Sequence, residues 1–340
     1  MITPSVQQNP RIQGETATFV WRGDQAPDLI GDFNNWDEAN PVQLDQTAPG
    51  VWEAAAEFSP DAYIEYAFVS DQTRLYDPLN PNVIYNGVSA DNHYFYMPAG
   101  GVTPLAQPRL GAPRGKMIHY ELRNSFLLTG GRRSLDLYQP AAAGPLPLVL
   151  VFDGQDYWNR ASLPVIVDNL IAAGRMRPVA LALLENGGQA RGIEYSCNDA
   201  TVGVIVEEAL PAAYEHLDLV DLDEQPGAFA VMGASMGGLI ALYTALRAPE
   251  LFGKVLSQSG AFFPESVVYP LLKQADPQQL KIWMDVGLYE FLLPANRQMQ
   301  AELQAAGFDF HYREYAGGHN YSSWRDDLWR GLEVLFPAEI

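Results

Sequence analysis

The sequence predicts an α/β protein, in which an all-β sandwich precedes a mostly parallel sheet with helices on both faces. Two observations predict this fold class. Residues 1–100 contain short alternating segments between turn residues, which is typical of antiparallel strands. From residue 116 onward, near-continuous apolar runs alternate with helical stretches, which indicates strands buried on both faces. We therefore expect two domains, 1–100 and 116–340, joined by a linker at 101–115 that is rich in Pro and Gly.

In the first domain, the predicted strands are segments with period-two alternation that Gly, Pro, Asn or Asp residues bound. They are ETATFVWRG, GVWEAAAEF, AYIEYAFVS and NHYFYMP.

The second domain begins with a predicted hairpin, formed by MIHYELRNSFL and RRSLDLYQP. The further predicted strands are LPLVLVFDG, PVALALLEN, GAFAVMGAS, GKVLSQSGAF, KIWMDVG and FDFHYREYAG. The predicted helices between and after them are DATVGVIVEEALPAAYEHL, MGGLIALYTALRAP, PANRQMQAELQAAG and SSWRDDLWRGLEVLF. In sheets of this kind the site lies at the carboxyl ends of the strands, so candidate residues are sought there.

Composition limits the partners that the chain can have. The 340 residues carry a net charge of −20, which repels nucleic acid, anionic membranes and polyanionic substrates that meet no local positive charge. Cys197 is the single cysteine, so an intrachain disulfide is excluded. The start, MITPSVQQNPRIQGE, lacks the basic and apolar parts of a secretory leader, and no apolar run has the length of a membrane span. We expect a cytoplasmic protein, and the composition predicts no oligomeric state.

Ser235 is the candidate nucleophile. It lies in GASMG, at the carboxyl end of the predicted strand GAFAVMG and immediately before a predicted helix. A G-x-S-x-G match alone is a weak signal, but the strand–turn–helix context is the one that a nucleophile elbow requires. Gly233 and Gly237 allow the strained turn, and Gly238 allows close packing of the helix.

A nucleophilic serine needs a base, and His319 is the candidate. The chain order Ser, acid, His of such elbows leaves only His311 and His319 among the five histidines. His311 lies inside an alternating strand, whereas His319 follows Gly317 and Gly318 just beyond it, where a side chain can reach the elbow.

The triad acid is expected between Ser235 and His319, near the end of the strand KIWMDVG. Asp285 lies within that strand, and Glu290 lies in the loop beyond Gly287. Triad acids usually project from the loop, so Glu290 is preferred and Asp285 is the alternative.

An oxyanion hole needs two backbone amides. The first is expected from Met236, the residue after the nucleophile, and the second from Gly154 or Gln155 after the strand LPLVLVF. The same residues also suit an ordinary Asp-Gly turn. No His, Cys and carboxylate cluster with metal-ligand spacing occurs in the sequence, so we expect no metal and no cofactor.

Longer stretches around these residues resemble one family. VMGASMGGLIALYTALRAPELFGKVLSQSGAFF, FDGQDYW, RGIEYSCN and GGHNYSSWRDDLWRGL together resemble the enterochelin (ferric enterobactin) esterases, within the esterase D group of α/β-hydrolases. IGDFNNWD and RLYDPLNPNVIYNG resemble the immunoglobulin-like sandwich of those esterases, which is similar to the carbohydrate-binding modules of glycogen-branching enzymes.

The resemblance implies an α/β-hydrolase fold behind an immunoglobulin-like domain, and a serine esterase that works through an acyl-enzyme. It implies Ser235 as nucleophile, His319 as base and Glu290 as acid, with DGQ as the oxyanion loop. It also implies substrate contacts by Arg191, Glu194, Asp153 and Trp158. For Arg191, the plain structural alternative is a surface ion pair with Glu194.

The substrate is therefore expected to be a small-molecule ester. The same residues would serve a feruloyl or acetyl xylan esterase, or an acyltransferase, and a binding protein without catalysis is a further alternative. Glycan contact through residues 1–100 would use Trp21, Trp36 and Trp52, although aromatic residues in a small sandwich more often form its core. Because all three triad residues fall in the second predicted domain, we expect cleavage of a small ester to survive removal of the first.

Overall fold

The structure is a computed structural model that describes residues 8–88, 90–124 and 126–338. Contacts within the chain divide it into two compact units. The first unit comprises the residues up to Val102 together with Gly287–Phe291 and Glu314–Ser323. The second comprises Thr103–Val286, Leu292–Arg313 and the residues from Trp324 onward. The sequence assigned 287–291 and 314–323 to the second domain, whereas in the structure these segments contact residues of the first.

The first unit contains two antiparallel sheets. In the described residues its strands are β1 (Arg11–Gln13), β2 (Thr16–Arg22), β3 (Asp28–Gly31), β4 (Asp45–Ala48), β5 (Val51–Glu57), β6 (Tyr63–Ser70), β7 (Thr73–Leu75), β8 (Val83–Tyr85) and β9 (Asp91–Tyr96). One sheet has the order β1-β2-β5-β4, and the other has the order β3-β6-β9-β8, with β7 paired to β6. The predicted all-β region is confirmed.

Aromatic side chains form the core of this unit. Phe19 of β2 packs edge-on against Tyr66 of β6 and Phe95 of β9, with ring centroids 5.0 and 5.8 Å apart. The period-two alternation of the strands directs these side chains to one face of each sheet. Tyr289 and Ala316 pack against the same core, although they lie far from it in the sequence.

The second unit is built on a mixed sheet. Its strands are β10 (Lys116–Arg123), β11 (Arg132–Gln139), β12 (Leu148–Phe152), β13 (Ala180–Leu184), β14 (Ala230–Ala234), β15 (Lys254–Gln258), β16 (Lys281–Gly287) and β17 (Asp309–Tyr315), in the order β10-β11-β13-β12-β14-β15-β16-β17. The ladder from β13 through β12, β14 and β15 to β16 is parallel. The hairpin β10–β11 pairs antiparallel with β13. The predicted α/β class and mostly parallel sheet are confirmed.

Helices follow the strands. In the described residues they are α1 (Gly154–Asn159), α2 (Leu163–Ala172), α3 (Arg191–Glu194), α4 (Asp199–Val204), α5 (Leu210–His216), α6 (Met236–Arg247), α7 (Val268–Leu272), α8 (Leu293–Ala306) and α9 (Tyr321–Leu335). A wider π-turn, Ile205–Ala209, joins α4 to α5 just before Pro211, whose ring nitrogen has no hydrogen to donate. The sequence prediction did not include α1, α2, α3 and α7. Three of these are short, and α2 lacks a polar face, so neither length nor periodicity marks them.

Residues 101–115, predicted as a linker, are held in place from Thr103 onward. The Thr103 amide donates to Asp326 Oδ1 at 2.9 Å. Asn169 Nδ2 donates to the carbonyls of Leu105 and Gln107 at 2.7 and 2.8 Å. The segment from Thr103 onward groups with the second unit.

Candidate active site

Ser235 occupies a strained turn between β14 and α6. Its backbone has φ 59° and ψ −123°, a conformation that residues with a side chain rarely adopt. The Ser235 amide donates to the Gln258 carbonyl at 2.9 Å, and its own carbonyl accepts from the Ala261 amide at 3.0 Å. At Gly233, a Cβ atom would lie within 2.5 to 2.9 Å of Gly237 backbone atoms, so the turn requires glycine there. The turn therefore has the strand–turn–helix backbone geometry that a nucleophile elbow requires.

Met236 is the first residue of α6, and Gly154 and Gln155 are the first residues of α1. The first amides of a helix have no acceptor within the helix, and they lie at its electropositive end. The left-handed conformation of Asp153, with φ 55°, ends β12 and turns the chain into α1. Amides in these positions suit an oxyanion.

Arg191 binds Asp153 rather than Glu194. Its Nε and Nη2 donate to the two carboxylate oxygens of Asp153, each at 2.7 Å. Arg191 Nη2 also lies 3.4 Å from the carbonyl of Ala234, the residue before Ser235. Asn186 Nδ2 donates to Asp153 Oδ1 at 2.7 Å. Arg191 thus connects the start of α1 with the elbow.

The two remaining residues proposed for substrate contact have protein partners. Glu194 is buried and forms an ion pair with Arg133 of β11. Trp158 of α1 stacks on His119 of β10, with ring centroids 5.5 Å apart. The ion pair between Arg191 and Glu194, the plain alternative for Arg191, does not form: each binds another residue.

Glu290 and His319 come together in the first unit. Glu290 Oε2 is hydrogen-bonded to His319 Nδ1, and Glu290 Oε1 accepts from the Gly287 amide at 2.6 Å. Glu290 is buried, whereas the His319 ring is partly exposed and lies 5.2 Å from the Phe291 ring. Such a carboxylate fixes the tautomer of the imidazole and leaves Nε2 as the basic nitrogen.

Asp285, the alternative acid, is fully buried in β16 of the second unit. Trp283 Nε1 donates to its Oδ2 at 2.7 Å, and Gln258 Nε2 lies 3.4 Å from both carboxylate oxygens. Gln258 is itself held by the Tyr157 hydroxyl at 3.1 Å. Asp285 therefore belongs to a buried network of β15, β16 and α1.

The tryptophans considered for glycan contact lie in the first unit. Trp21 packs on Phe68, with ring centroids 5.1 Å apart, and Trp52 Nε1 donates to the Gly23 carbonyl at 3.0 Å. Trp36 Nε1 donates to Asp32 Oδ1 at 3.0 Å. All three are half-buried.

Sequence reasoning missed two residues near His319 and Glu290. Asp32, in the motif IGDFNNWD, lies against Gly318, the residue before His319. Tyr289 directly precedes Glu290, and its hydroxyl accepts from the Ser59 amide.

Within residues 8–88, 90–124 and 126–338, no group of three or more His, Cys, Asp or Glu side chains is arranged to hold a metal ion. A helix with the length and apolar character needed to cross a bilayer is absent from the same residues.

Comparison with solved structures identifies the fold. The chain superposes on ferric enterobactin esterase from Salmonella typhimurium with a TM-score of 0.79 and 23% identity, over 94% of this chain and 93% of that one. A structure of the Shigella flexneri enterobactin esterase in the presence of enterobactin gives a TM-score of 0.75 and 22% identity, over 96% of this chain and 94% of that one. The α/β-hydrolase fold with an N-terminal β domain is thereby confirmed.

Comparison by sequence finds relatives of the same kind as the solved structures. Iron(III) enterobactin esterase from Dickeya dadantii is 31% identical over 213 residues, which is 57% of this chain and 48% of the relative. The chain spans about half the length of the curated relatives it matches. The family model described as "Putative esterase" matches residues 128–335. The resemblance to enterochelin esterases is confirmed. Because the family model spans more than half of the chain, the chain belongs to the putative esterase family that it describes.

Proposed function

We propose that the protein is a carboxylic-ester hydrolase that works through a Ser235–His319–Glu290 triad and an acyl-enzyme. The observation that carries the proposal is the backbone of Ser235, with φ 59° and ψ −123°, in a strand–turn–helix of a chain from an esterase family. A stable fold retains such strain where function requires it.

The pair of Glu290 and His319 supports the second part of the proposal. With Nδ1 hydrogen-bonded to Glu290, the basic nitrogen of His319 is Nε2, and we assign it as the general base for the serine hydroxyl. Ser235 Oγ then attacks the ester carbonyl, and its proton passes to His319 Nε2. His319 returns this proton to the leaving alcohol, and the acyl group remains on Ser235. Water, deprotonated by His319, releases the acid and restores the serine.

The oxyanion that forms in each step needs two donors. We assign the Met236 amide at the start of α6, together with the Gly154 or Gln155 amide at the start of α1. Preorganised amides of this kind contribute about 3 to 4 kcal/mol of transition-state stabilisation per donor.

Asp153 and Arg191 support these donors. The bidentate ion pair fixes the turn from which α1 begins, and the contact of Arg191 with the Ala234 carbonyl fixes it relative to the elbow. Since both nitrogens of this fork already face Asp153, we assign Arg191 to positioning of the oxyanion loop rather than to substrate binding.

For the substrate, we propose a small ester of the catecholate siderophore kind. Relatives are named iron(III) enterobactin esterase, and one solved neighbour was obtained in the presence of enterobactin. Transfer of the acyl group to an alcohol, and cleavage of feruloyl or acetyl esters of polysaccharides, use the same triad.

The test has two arms. A fluorophosphonate probe should label wild-type protein at Ser235, and Ser235→Ala should abolish labelling and lower kcat by about 10⁴- to 10⁶-fold. Ser257→Ala, which removes a buried serine hydroxyl of β15, is the matched control. It should retain both fluorophosphonate labelling and the wild-type kcat. Turnover by Ser235→Ala at the wild-type rate would refute the proposal.

The second arm sets the substrate. Enterobactin, p-nitrophenyl esters, methyl ferulate and acetylated xylan are compared by kcat/KM, with product analysis in the presence of sugar and alcohol acceptors. We expect enterobactin to give the highest value and free acid to be the product. Preference for methyl ferulate or xylan, or an acylated acceptor as main product, would replace the substrate assignment while leaving the triad intact.

A further inference from the structure

The motif IGDFNNWD forms a rigid turn around one buried carboxylate. The Gly31 amide donates to Asn34 Oδ1 at 2.9 Å, which closes a short helical turn over Asp32–Asn34. Asn35 and Trp36 then take left-handed conformations, with φ 55° and 58°. Two donors bind the Asp32 carboxylate: Trp36 Nε1 at 3.0 Å to Oδ1, and the Glu65 amide at 2.8 Å to Oδ2. The side chain of Asp32 is therefore locked in one orientation.

This carboxylate lies directly against the loop that carries His319. A Cβ atom added to Gly318 would fall 2.1 to 2.5 Å from the Cγ, Oδ1 and Oδ2 atoms of Asp32. On the other side of His319, Asn320 Nδ2 lies 3.5 Å from Asp32 Oδ2. Asn320 Oδ1 in turn accepts from the Ser323 amide at 2.9 Å, so Asn320 caps the first turn of α9. Both neighbours of His319 thus rest on Asp32.

The segment that carries Glu290 also contacts the sandwich directly. The hydroxyl of Tyr289, the residue before Glu290, accepts from the Ser59 amide at 3.0 Å, and its ring packs edge-on against Phe58 at 5.5 Å. The Tyr289 amide donates to the Gly317 carbonyl at 3.1 Å. The segments of Glu290 and His319 are therefore tied to one another as well as to the sandwich.

We propose that Asp32 is a positioning residue: through Gly318 and Asn320 it sets the backbone from which His319 reaches Glu290. The proposal rests on the assignment of His319 as general base. In this chain, the motif that resembles a carbohydrate-binding module supports the catalytic loop, and its Trp36 holds Asp32 instead of presenting a free indole nitrogen to a sugar.

Electrostatics favours a role beyond stability. Burial raises the pKa of Asp32 well above its usual value, and the nearby carboxylates of Glu65 and Glu290 add to this shift. An ionised carboxyl in such surroundings costs folding free energy, because desolvation disfavours the charged form. A buried carboxyl whose ionisation carries such a cost, and which contacts the loop of His319, is a functional candidate.

The first experiment compares Asp32→Ala with Asp77→Ala. Asp77 is a matched control, because it is also a buried carboxylate of the sandwich and accepts from Asn9 Nδ2, the Tyr66 hydroxyl and the Leu79 amide. The burst of p-nitrophenol released from p-nitrophenyl acetate measures the concentration of working active sites, so that kcat is expressed per active site. Both variants should lower the melting temperature.

Only Asp32→Ala should lower kcat per site, by about 10²-fold, with KM little changed and slower fluorophosphonate labelling of Ser235. Asp32→Asn keeps the shape of the side chain and one acceptor oxygen, so its kcat per site should lie between those of Asp32→Ala and the wild type. If Asp32→Ala and Asp77→Ala retain the same kcat per site, Asp32 is structural only and the proposal is overturned.

A double-mutant cycle tests the contact itself. Gly318 has a φ outside the left-handed region that disfavours alanine, and the atoms nearest to an added methyl group are those of the Asp32 carboxylate. Gly318→Ala should lower kcat per site, and the added Asp32→Ala should restore part of it, since the space is then free. Additive losses would overturn the proposal. Inactivity of Ser235→Ala alongside full activity of Asp32→Ala would leave the proposed function standing and reject this inference alone.

Discussion

At the scale of the residue, hydrogen-bond partners distinguish Asp285 from Glu290, the two carboxylates that the sequence allows as the triad acid. Asp285 accepts from Trp283 and lies beside Gln258 in a buried network, whereas Glu290 is hydrogen-bonded to His319. Loop position favours Glu290 in the sequence, and this hydrogen bond now supports the same assignment. Glu290 also keeps its second oxygen on the Gly287 amide, which holds the carboxylate in place.

Replacement of each carboxylate by its amide tests the assignment. Glu290→Gln should lower kcat by up to about 10⁴-fold, because the imidazole loses the partner that holds its tautomer and stabilises its charge. Asp285→Asn should reduce thermal stability through the Trp283 contact and leave kcat per active site nearly unchanged. Kinetics with p-nitrophenyl acetate and thermal unfolding measure both. The reverse order of kcat losses would make Asp285 the acid.

At the scale of the element, the start of α1 is held in place by the ion pair between Asp153 and Arg191, because the helix itself is short. The helix spans Gly154–Asn159, too short to be stable by itself, and its first turn is fixed by Asp153 and Arg191. The position of the Gly154 and Gln155 amides therefore depends on a contact with residue 191.

Arg191→Lys should lower kcat by roughly 10-fold or more with KM nearly unchanged, since a lysine cannot reproduce the bidentate geometry. Arg133→Lys is the matched control, because it alters the buried pair with Glu194 and leaves Asp153 untouched. The kcat and KM of both variants are measured with p-nitrophenyl acetate and with enterobactin. A rise in KM for enterobactin with kcat preserved would instead show that Arg191 binds substrate.

Strand β15 carries a lysine whose charge is disfavoured. Burial lowers the pKa of Lys254 to about 8, and repulsion by Arg177 and Lys281 adds to the effect, while the carbonyls of Gly227 and Ala228 accept its hydrogen bonds. The unfolded chain has the ordinary lysine pKa of about 10.4. Between these two values the unfolded state binds more protons than the folded state, so stability rises with pH.

Lys254→Met should remove this dependence. The free energy of unfolding of the wild type, measured by urea titration and taken relative to Lys254→Met, should therefore increase from pH 7 to about 10. A difference that stays constant over this range would show that the lysine keeps its ordinary pKa in the fold.

At the scale of the whole molecule, the segments that carry Glu290 and His319 group with the sandwich in one compact unit. Residues 287–291 and 314–323 belong to the compact unit of the N-terminal strands, and Tyr289 and Ala316 pack on its aromatic core. The Tyr63 amide donates to the Ala316 carbonyl at 3.0 Å, which adds a backbone contact. The sequence alone predicts that small-ester cleavage survives removal of the first domain, whereas these contacts favour a loss of activity.

A fragment of residues 103–340 should lose most of its activity even on p-nitrophenyl acetate, because the segments of Glu290 and His319 lose the surface on which they pack. Near-ultraviolet circular dichroism establishes whether the fragment is folded, and kcat/KM is compared with that of the full chain. A folded fragment with wild-type kcat/KM on this ester would show that the sandwich does not support these segments.

The sequence by itself determined what is encoded locally. Near-continuous apolar runs predicted β12 to β16, and an alternating segment predicted β17. Gly-x-Ser-x-Gly at the end of a strand predicted the turn at Ser235. All of these signals depend on residues that are adjacent in the chain. Chain order placed His319 and Glu290 after successive strands. The hydrophobic pattern of 1–100 likewise predicted strands β2, β5, β6 and β9, and it predicted neither their pairing nor the shorter strands.

Only the tertiary structure decided which distant residues meet. The contact of Asp32 with Gly318 joins residues 286 positions apart in the sequence, and that of Arg191 with Asp153 joins the start of α3 to the turn before α1. No local periodicity encodes such contacts, because they arise from the way sheets and turns pack after each element has formed. For the same reason Arg191, read from sequence as a possible partner of Glu194, is bound to Asp153, and the motif IGDFNNWD lies against the loop of His319.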